Sequence, residues 1–306
     1  MAGLPCRVAP CRPARPDGVG RPGVFIVSRK RQAPRLFLIL FAGLLLYLGG
    51  TTVRNALAGT TIRVPEDHST IQDAIDAAAD GDVVLVSPGV YDENLTISGK
   101  GITLASLHLQ TGDPAMIAQT VLDGGGSTVL TVNPYSGPQT RITGFTIQNG
   151  DDGILAFATT LIDNNYFTGT VDAIDYEGAG GICRDNTFVA NSDDAIDLDG
   201  DSAVLIENNT ILDSGNDGIE IRLHPYSGPT LEIVIRGNII DGSLEDGIQI
   251  IDYDVLTDRI LIIERNQISN SAMAGLGLMD NAETDEDYRA ASILEPIYLL
   301  NNTFSG

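Results

Sequence analysis

The chain has 306 residues with 41 acids against 18 Lys and Arg, a formal net charge of −23, and no Trp. Nine of those bases but only one of the acids fall in residues 1–58, so residues 59–306 hold 40 acids against 9 bases, a net of −31. That balance argues against a nucleic-acid partner, because phosphate binding needs a basic face. With Cys183 the single cysteine after residue 58, no disulfide is expected there either.

Residues 1–58 read as a basic leader. Eight bases precede Leu36, LFLILFAGLLLYL follows without a charge, and Ala56-Leu57-Ala58 supplies a small-x-small site. This is the pattern of a secretory signal cleaved after Ala58. The apolar run is short for a spanning helix, which needs about 20 residues, so an uncleaved membrane anchor is the alternative. The expected location is secreted or cell-surface, with membrane contact only through this segment.

The next stretch, HSTIQDAIDAAADGD, predicts a helix with Ser69 as N-cap, Gln72 three residues on, Ile71, Ala74, Ile75 and Ala78 on one face, and Gly81 as the stop. Short alternating runs follow: VVLV, NLTI and ITLAS, divided by the turns SPGVYDE and SGKG. From there the chain repeats itself. Asn-x-[IF] recurs with its Asn at 165, 186, 209, 238, 266 and 302, and Asp-[GA]-Ile recurs with its Asp at 152, 172, 194, 217 and 246. Successive copies of the second motif are 20, 22, 23 and 29 residues apart.

Each copy holds two or three runs with period-2 alternation and no helix, which is one coil of a parallel β-solenoid that buries its inner face only by stacking. Asn at a fixed place in every coil predicts a column of amides bonded along the axis at the ~4.8 Å strand spacing. PYSGP, at 134–138 and again at 225–229, reads as one loop position in two coils, and the N-terminal helix as a cap on the open end of the stack. The acidic run from Asp280 to Glu295 reads as an exposed loop. IYLLNNTFSG ends in mid-coil, so the domain 59–306 is expected to continue beyond Gly306.

IQDAIDAAADGDVVLVSPGVYDENLTI followed by ITLAS resembles the opening of right-handed parallel β-helix proteins of the pectate-lyase-like superfamily, and GFTIQNGDDGI and ENNTILDSGNDGIEI resemble its generic coils. The resemblance implies an all-β, right-handed parallel β-helix with a short N-terminal capping α-helix. It leaves the reaction open, since that fold serves lyases, hydrolases, esterases, epimerases and non-enzymatic surface proteins. GTVD at 169–172 is similar to the aspartate-bearing strand of pectin methylesterases, with Asp152 at a plausible distance for their second aspartate. The glutamines and the arginine motif near Trp of that family are absent. So are the Gly-His-Gly of polygalacturonases, which His68, His108 and His224 do not supply, and the Asp-Pro-His-Glu of alginate epimerases.

One stretch, NSDDAIDLDGD at 191–201, holds five aspartates. Asp193 and Asp194 sit in the turn before Asp-[GA]-Ile and are explained by turn chemistry. Alternation sends Ile196 and Leu198 inward and Asp197 and Asp199 outward. Applied to neighbouring coils, it predicts an outward column of Asp175 and Glu177, then Asp197 and Asp199, then Glu220 and Arg222, then Gln249 and Ile251. Carboxylates ~5 Å apart repel by about 0.8 kcal/mol in bulk water and about 3 kcal/mol at an effective dielectric of 20. Arg222 balances part of this, and a Ca²⁺ ion held by Asp175, Asp197, Asp199, Asp201 and Glu220 is the candidate for the rest, because it takes roughly six to eight oxygen ligands. The other reading is a solvated acidic face with raised pKa values.

Two functions follow. The first is a secreted or cell-surface β-helix protein that interacts with a polysaccharide or cell-surface glycan without necessarily acting on it. The alternative is a Ca²⁺-dependent polysaccharide lyase that cleaves uronate glycans by β-elimination. By resemblance to such lyases, Arg222 would be the base; Glu177 and His224 are the candidates for contacting substrate.

Overall fold

A computed structural model describes residues 59–253, 255–281 and 293–306. The leader and most of the acidic run after Asp280 therefore lie outside the described residues. Among those described, 27 strands form three parallel sheets of ten, nine and eight strands. After Thr61–Val64, which pairs directly with Val83–Val86, successive strands visit the sheets in turn, so each full coil contributes one strand to each. Coil after coil, the same positions stack: Ile174 lies opposite Ile196, Ile196 opposite Ile219, and Ile219 opposite Ile248.

Alternation explains each strand. In Ala203–Glu207, Val204 and Ile206 are buried while Ala203, Leu205 and Glu207 are half-buried. The inner residues form axial columns, among them Phe167 on Phe188 with ring centroids 4.8 Å apart and an interplanar angle of 9°. Cys183 occupies an inner position that its neighbours Ile162 and Ile206 fill with isoleucine. It is fully buried, which pushes its thiol up and leaves it a packing residue.

The asparagine column is present and complete. Nδ2 of Asn165, Asn186, Asn209, Asn238 and Asn266 each donates to Oδ1 of the next asparagine at 3.0–3.2 Å, ending on Asn302. The same Oδ1 atoms accept the backbone N–H of the preceding asparagine at 2.9–3.0 Å. Each bend needs a left-handed residue just before the ladder position. Asn164, Asp185, Asn208 and Asn301 take it with φ of 55–56°, Gly237 with 66° and Arg265 with 57°. Asn, Asp and Gly tolerate that geometry best, which is why the bends read as they do.

The N-terminal end is closed by the strand Thr61–Val64 and the helix Ile71–Ala77, whose Ile71, Ala74 and Ile75 are buried against the first coil. The cap is Thr70 and not the predicted Ser69: the Thr70 hydroxyl accepts the Asp73 N–H at 3.1 Å. Gln72 does not close a capping box but bonds the backbone of Thr96, and Glu93 from the first coil takes the N–H groups of Ile71 and Gln72. At the other end, the Lys100 ammonium caps the carbonyls of Ile75, Asp76 and Ala78.

Both PYSGP loops join the eight-stranded sheet to the ten-stranded one, in different coils. Two short helices, His108–Thr111 and Ala115–Gln119, interrupt the second coil and have no counterpart in the sequence reading. Glu295, read as part of an exposed loop, is buried and accepts both the N–H and the hydroxyl of Thr257. Among the described residues no helix is long and apolar enough to cross a membrane.

Candidate functional site: a column of carboxylates on the eight-stranded sheet

The predicted column exists in register. On the strands Asp172–Glu177, Ile196–Asp199, Ile219–Arg222 and Ile248–Asp252, Asp175 lies opposite Asp197, Asp197 opposite Glu220, and Glu220 opposite Gln249; Glu177 lies opposite Asp199. Its setting differs from the prediction. Facing away from the inner core does not expose these side chains, for Asp197 is 6% and Glu220 4% accessible, and Asp175 is half-buried.

Burial of stacked acids has the expected electrical consequence. It pushes the Asp175 carboxyl up to about 8, with Asp197 and Glu177 adding to the effect. Glu220 is raised to about 9, first by burial and then by Asp197, with Arg222 opposing. Asp197, which gains more from Arg222, is raised only to about 6. Desolvation disfavours the charged form of a carboxyl, and each like charge adds to that.

Arg222 is the cation of the column. Its Nη1 donates to Asp197 Oδ2 at 2.7 Å and lies 3.4 Å from Asp199 Oδ2, while Nη2 pairs with Glu220 Oε1. Burial works against its charge, but Asp197, Glu220 and Asp199 outweigh that and hold the guanidinium protonated, above the ordinary arginine range.

Of the other predicted residues, Glu177 is exposed beside Asp199. His224 lies just past the strand end, where Nδ1 accepts the Gly200 N–H at 3.3 Å and Nε2 lies 2.8 Å from the Tyr253 hydroxyl, the two rings packed edge to face. Asp201 does not join the column. It is exposed in the turn after Asp199, and its neighbour is Arg259 Nη2 at 4.0 Å. Arg259, which no sequence feature singled out, is nearly inaccessible and pins this corner by donating to His224 O and Gly200 O and lying over the Tyr226 ring.

A second stack of carboxylates runs beside the first, at the Asp-[GA]-Ile positions. Asp172 Oδ1 accepts the Asp194 N–H at 3.0 Å, Asp194 Oδ1 that of Asp217 at 2.8 Å, Asp217 Oδ1 that of Asp246 at 2.7 Å, and Asp246 Oδ1 that of Ala274 at 2.8 Å. Asp194 was expected to serve its own turn, but its Oδ1 bonds the backbone of the next coil, and the axial ladder of carboxylates was not foreseen. The repeat that revealed the asparagine ladder was the signal that could have revealed it. Asp172 is raised to about 7 by burial, and Asp194 well above the carboxylate range by burial, Glu220 and Asp217.

Buried acids at this density can hold a metal ion. Among the described residues, the sets that bring one oxygen each within 4.8 Å are Asp172, Asp193 and Asp194, and Asp194, Asp217 and Glu220. The sets share only Glu220 with the predicted five. Their donors are all oxygen, which suits a hard cation such as Ca²⁺. Nearby, Asp175 Oδ1, Asp197 Oδ1 and Asp199 Oδ1 are buried without a hydrogen-bond partner.

Residues 129–285 match the family model described as the right handed beta helix region. No curated protein matches the chain. Among solved structures, the alginate lyase from Paenibacillus sp. str. FPU-7 is similar at 17% identity and a TM-score of 0.47, over 72% of this chain and 74% of that one. The pectin methylesterase from Aspergillus niger is similar at 16% identity and a TM-score of 0.46 in its penultimately deglycosylated form, over 81% of this chain and 86% of that one. With the family model covering just over half its length and three parallel sheets wound coil on coil, the chain belongs to the right-handed β-helix family.

Proposed function

We propose that this is an exported, glycan-binding β-helix protein whose contact face is the accessible rim of the carboxylate column, Glu177 and Arg222, with the His224–Tyr253 corner beside it, and that it binds without cleaving. The observation that carries this reading is the pairing of Arg222 with three carboxylates. A base for β-elimination must give up its proton, and those anions hold it in place. A fixed guanidinium donates well to a sugar carboxylate and abstracts a proton poorly.

A divalent cation, Ca²⁺ by donor chemistry, fits the same face. Asp194, Asp217 and Glu220 would hold it, and its charge would offset the repulsion within the stack. Glu177, exposed at the rim, and His224 would meet the glycan.

The test is to mix the protein with polygalacturonate and alginate, with calcium or with chelator, and follow both binding by calorimetry and the ultraviolet absorbance of unsaturated uronates. The expected result is saturable binding with no rise in absorbance. A calcium-dependent rise that Arg222→Ala abolishes would restore the lyase reading, and absence of binding to either glycan would remove this one.

A further inference from the structure

The bend from the ten-stranded to the nine-stranded sheet normally takes two residues, as Asn164-Asn165 between Thr160–Asp163 and Tyr166–Thr168, or Asp185-Asn186 between Gly180–Arg184 and Thr187–Val189. One coil departs from this. Thirteen residues, 107–119, separate Thr103–Ser106 from Thr120–Asp123, and they carry the helices His108–Thr111 and Ala115–Gln119.

The insertion is tied to the sheet. Thr146 Oγ1 donates to Ile117 O at 3.0 Å and Thr120 Oγ1 to Met116 O at 2.9 Å, while the His108 N–H reaches Ser106 Oγ at 3.1 Å. It therefore stands as a fixed wall beside the outward column Val121, Thr146, Tyr166 and Thr187, which lie opposite one another in successive coils. A flat sheet face offers no concavity of its own. Here the wall makes a cleft of about 420 Å³, within the usual span of small-ligand sites.

Its lining has a particular chemistry. Ile117 and Val121 are apolar, Tyr166 adds a half-buried aromatic ring, and Gln148, Thr187 and Asp185 supply polar groups. Asp123 Oδ2 holds Gln148 Nε2 at 2.8 Å, which orients the carboxamide before any ligand arrives. Neither Lys nor Arg is in the lining, and its carboxylate is Asp185, 3.9 Å from Arg184 on the neighbouring sheet. An anion is disfavoured here. What fits is a neutral molecule with one apolar face for the ring and the wall, and a rim of hydroxyls for the polar groups. A pyranose has that form.

We propose that this cleft is a second glycan site, specific for neutral sugar units, on a different face from the carboxylate column and independent of it. The full chain is titrated with neutral oligosaccharides of glucan, xylan and mannan type and with oligogalacturonate. At least one neutral oligosaccharide binds saturably, and Tyr166→Ala and Ala118→Arg each weaken that binding about tenfold or more with an unchanged melting temperature. Ala118 is exposed on the wall, so its replacement blocks the cleft without disturbing the core. Oligogalacturonate binding stays the same in both variants, which separates this site from the column. Failure of every neutral oligosaccharide to bind overturns the proposal, as does unchanged affinity in Ala118→Arg, or loss of oligogalacturonate binding in these variants.

Discussion

Two polar ladders run along this solenoid, and they obey opposite rules. An amide carries a donor and an acceptor, so each asparagine of the bends both gives to the next coil and receives from the last, and the column satisfies itself at any length. A carboxylate only accepts. Stacked at the same spacing, the aspartates at 172, 194, 217 and 246 find backbone N–H donors, yet burial and the nearby charges of Glu220 and Asp217 raise Asp194 well above the carboxylate range. The first ladder is closed chemically. The second needs protons or a cation from outside, and that need makes the eight-stranded sheet the place to look for a ligand.

The largest expected effect is at the closed ladder. Asn209→Ala leaves the Asn186 N–H without its acceptor and takes one partner each from the side-chain amides of Asn186 and Asn238 and the carbonyl of Cys183, and with about 1–3 kcal/mol for a buried group left unpaired it should destabilise by roughly 3 kcal/mol in urea unfolding. A loss below about 1 kcal/mol would mean that the ladder ornaments the bends without holding them.

Next comes Arg222, the cation of the carboxylate column beside the open ladder. Arg222→Met leaves the charged Asp197 and Asp199 without their counter-charge and the protonated Glu220 without its hydrogen-bond partner; since the Arg222 side chain is 31% exposed, the expected cost is about 2 kcal/mol near neutral pH, below that of a fully buried pair. The cost should shrink at about pH 5, where Asp197, raised to about 6, becomes protonated as well. Equal losses at both pH values would show that packing, and not charge, explains the residue.

The pH profile of the unaltered protein sharpens the contrast further. Asp197, Asp172, Asp175 and Glu220 are raised to about 6, 7, 8 and 9. A carboxyl with a raised folded pKa contributes stability that is present below its unfolded value, near 4, and is lost as pH rises through the folded value. The melting temperature should therefore fall progressively from about pH 4 to about pH 9, and added Ca²⁺ should recover the alkaline part, because a ligand of the folded state must stabilise it. A flat profile, or one indifferent to calcium and chelator, would show that the stacked carboxylates of this sheet need no ligand.

The smallest effect lies at the cap. Thr70→Ala should cost about 1 kcal/mol and Ser69→Ala close to nothing; chemical denaturation of the two variants decides between neighbouring candidates that look alike in sequence.

Much of this was legible in the chain. The asparagine spacing located the bends, and alternation put Asp175, Asp197 and Glu220 in one column because register follows from repeat length. Alternation alone could not say that Asp197 and Glu220 would be buried, nor that Asp194 and Asp217 would come close to Glu220. Those depend on how side chains lean between coils. Asp201 was grouped with the column by its spacing in sequence, and the turn at Gly200 took it elsewhere.

The sequence by itself determined the coil, since a period of two within strands and a recurring Asn between them admit no other economical way to bury the apolar face. Only the tertiary structure decided which charges meet. The fate of Arg222 among three acids, and the wall that residues 107–119 raise over Tyr166, arise from contacts between coils more than 20 residues apart, and proximity of that kind is a property of stacking that no local pattern records.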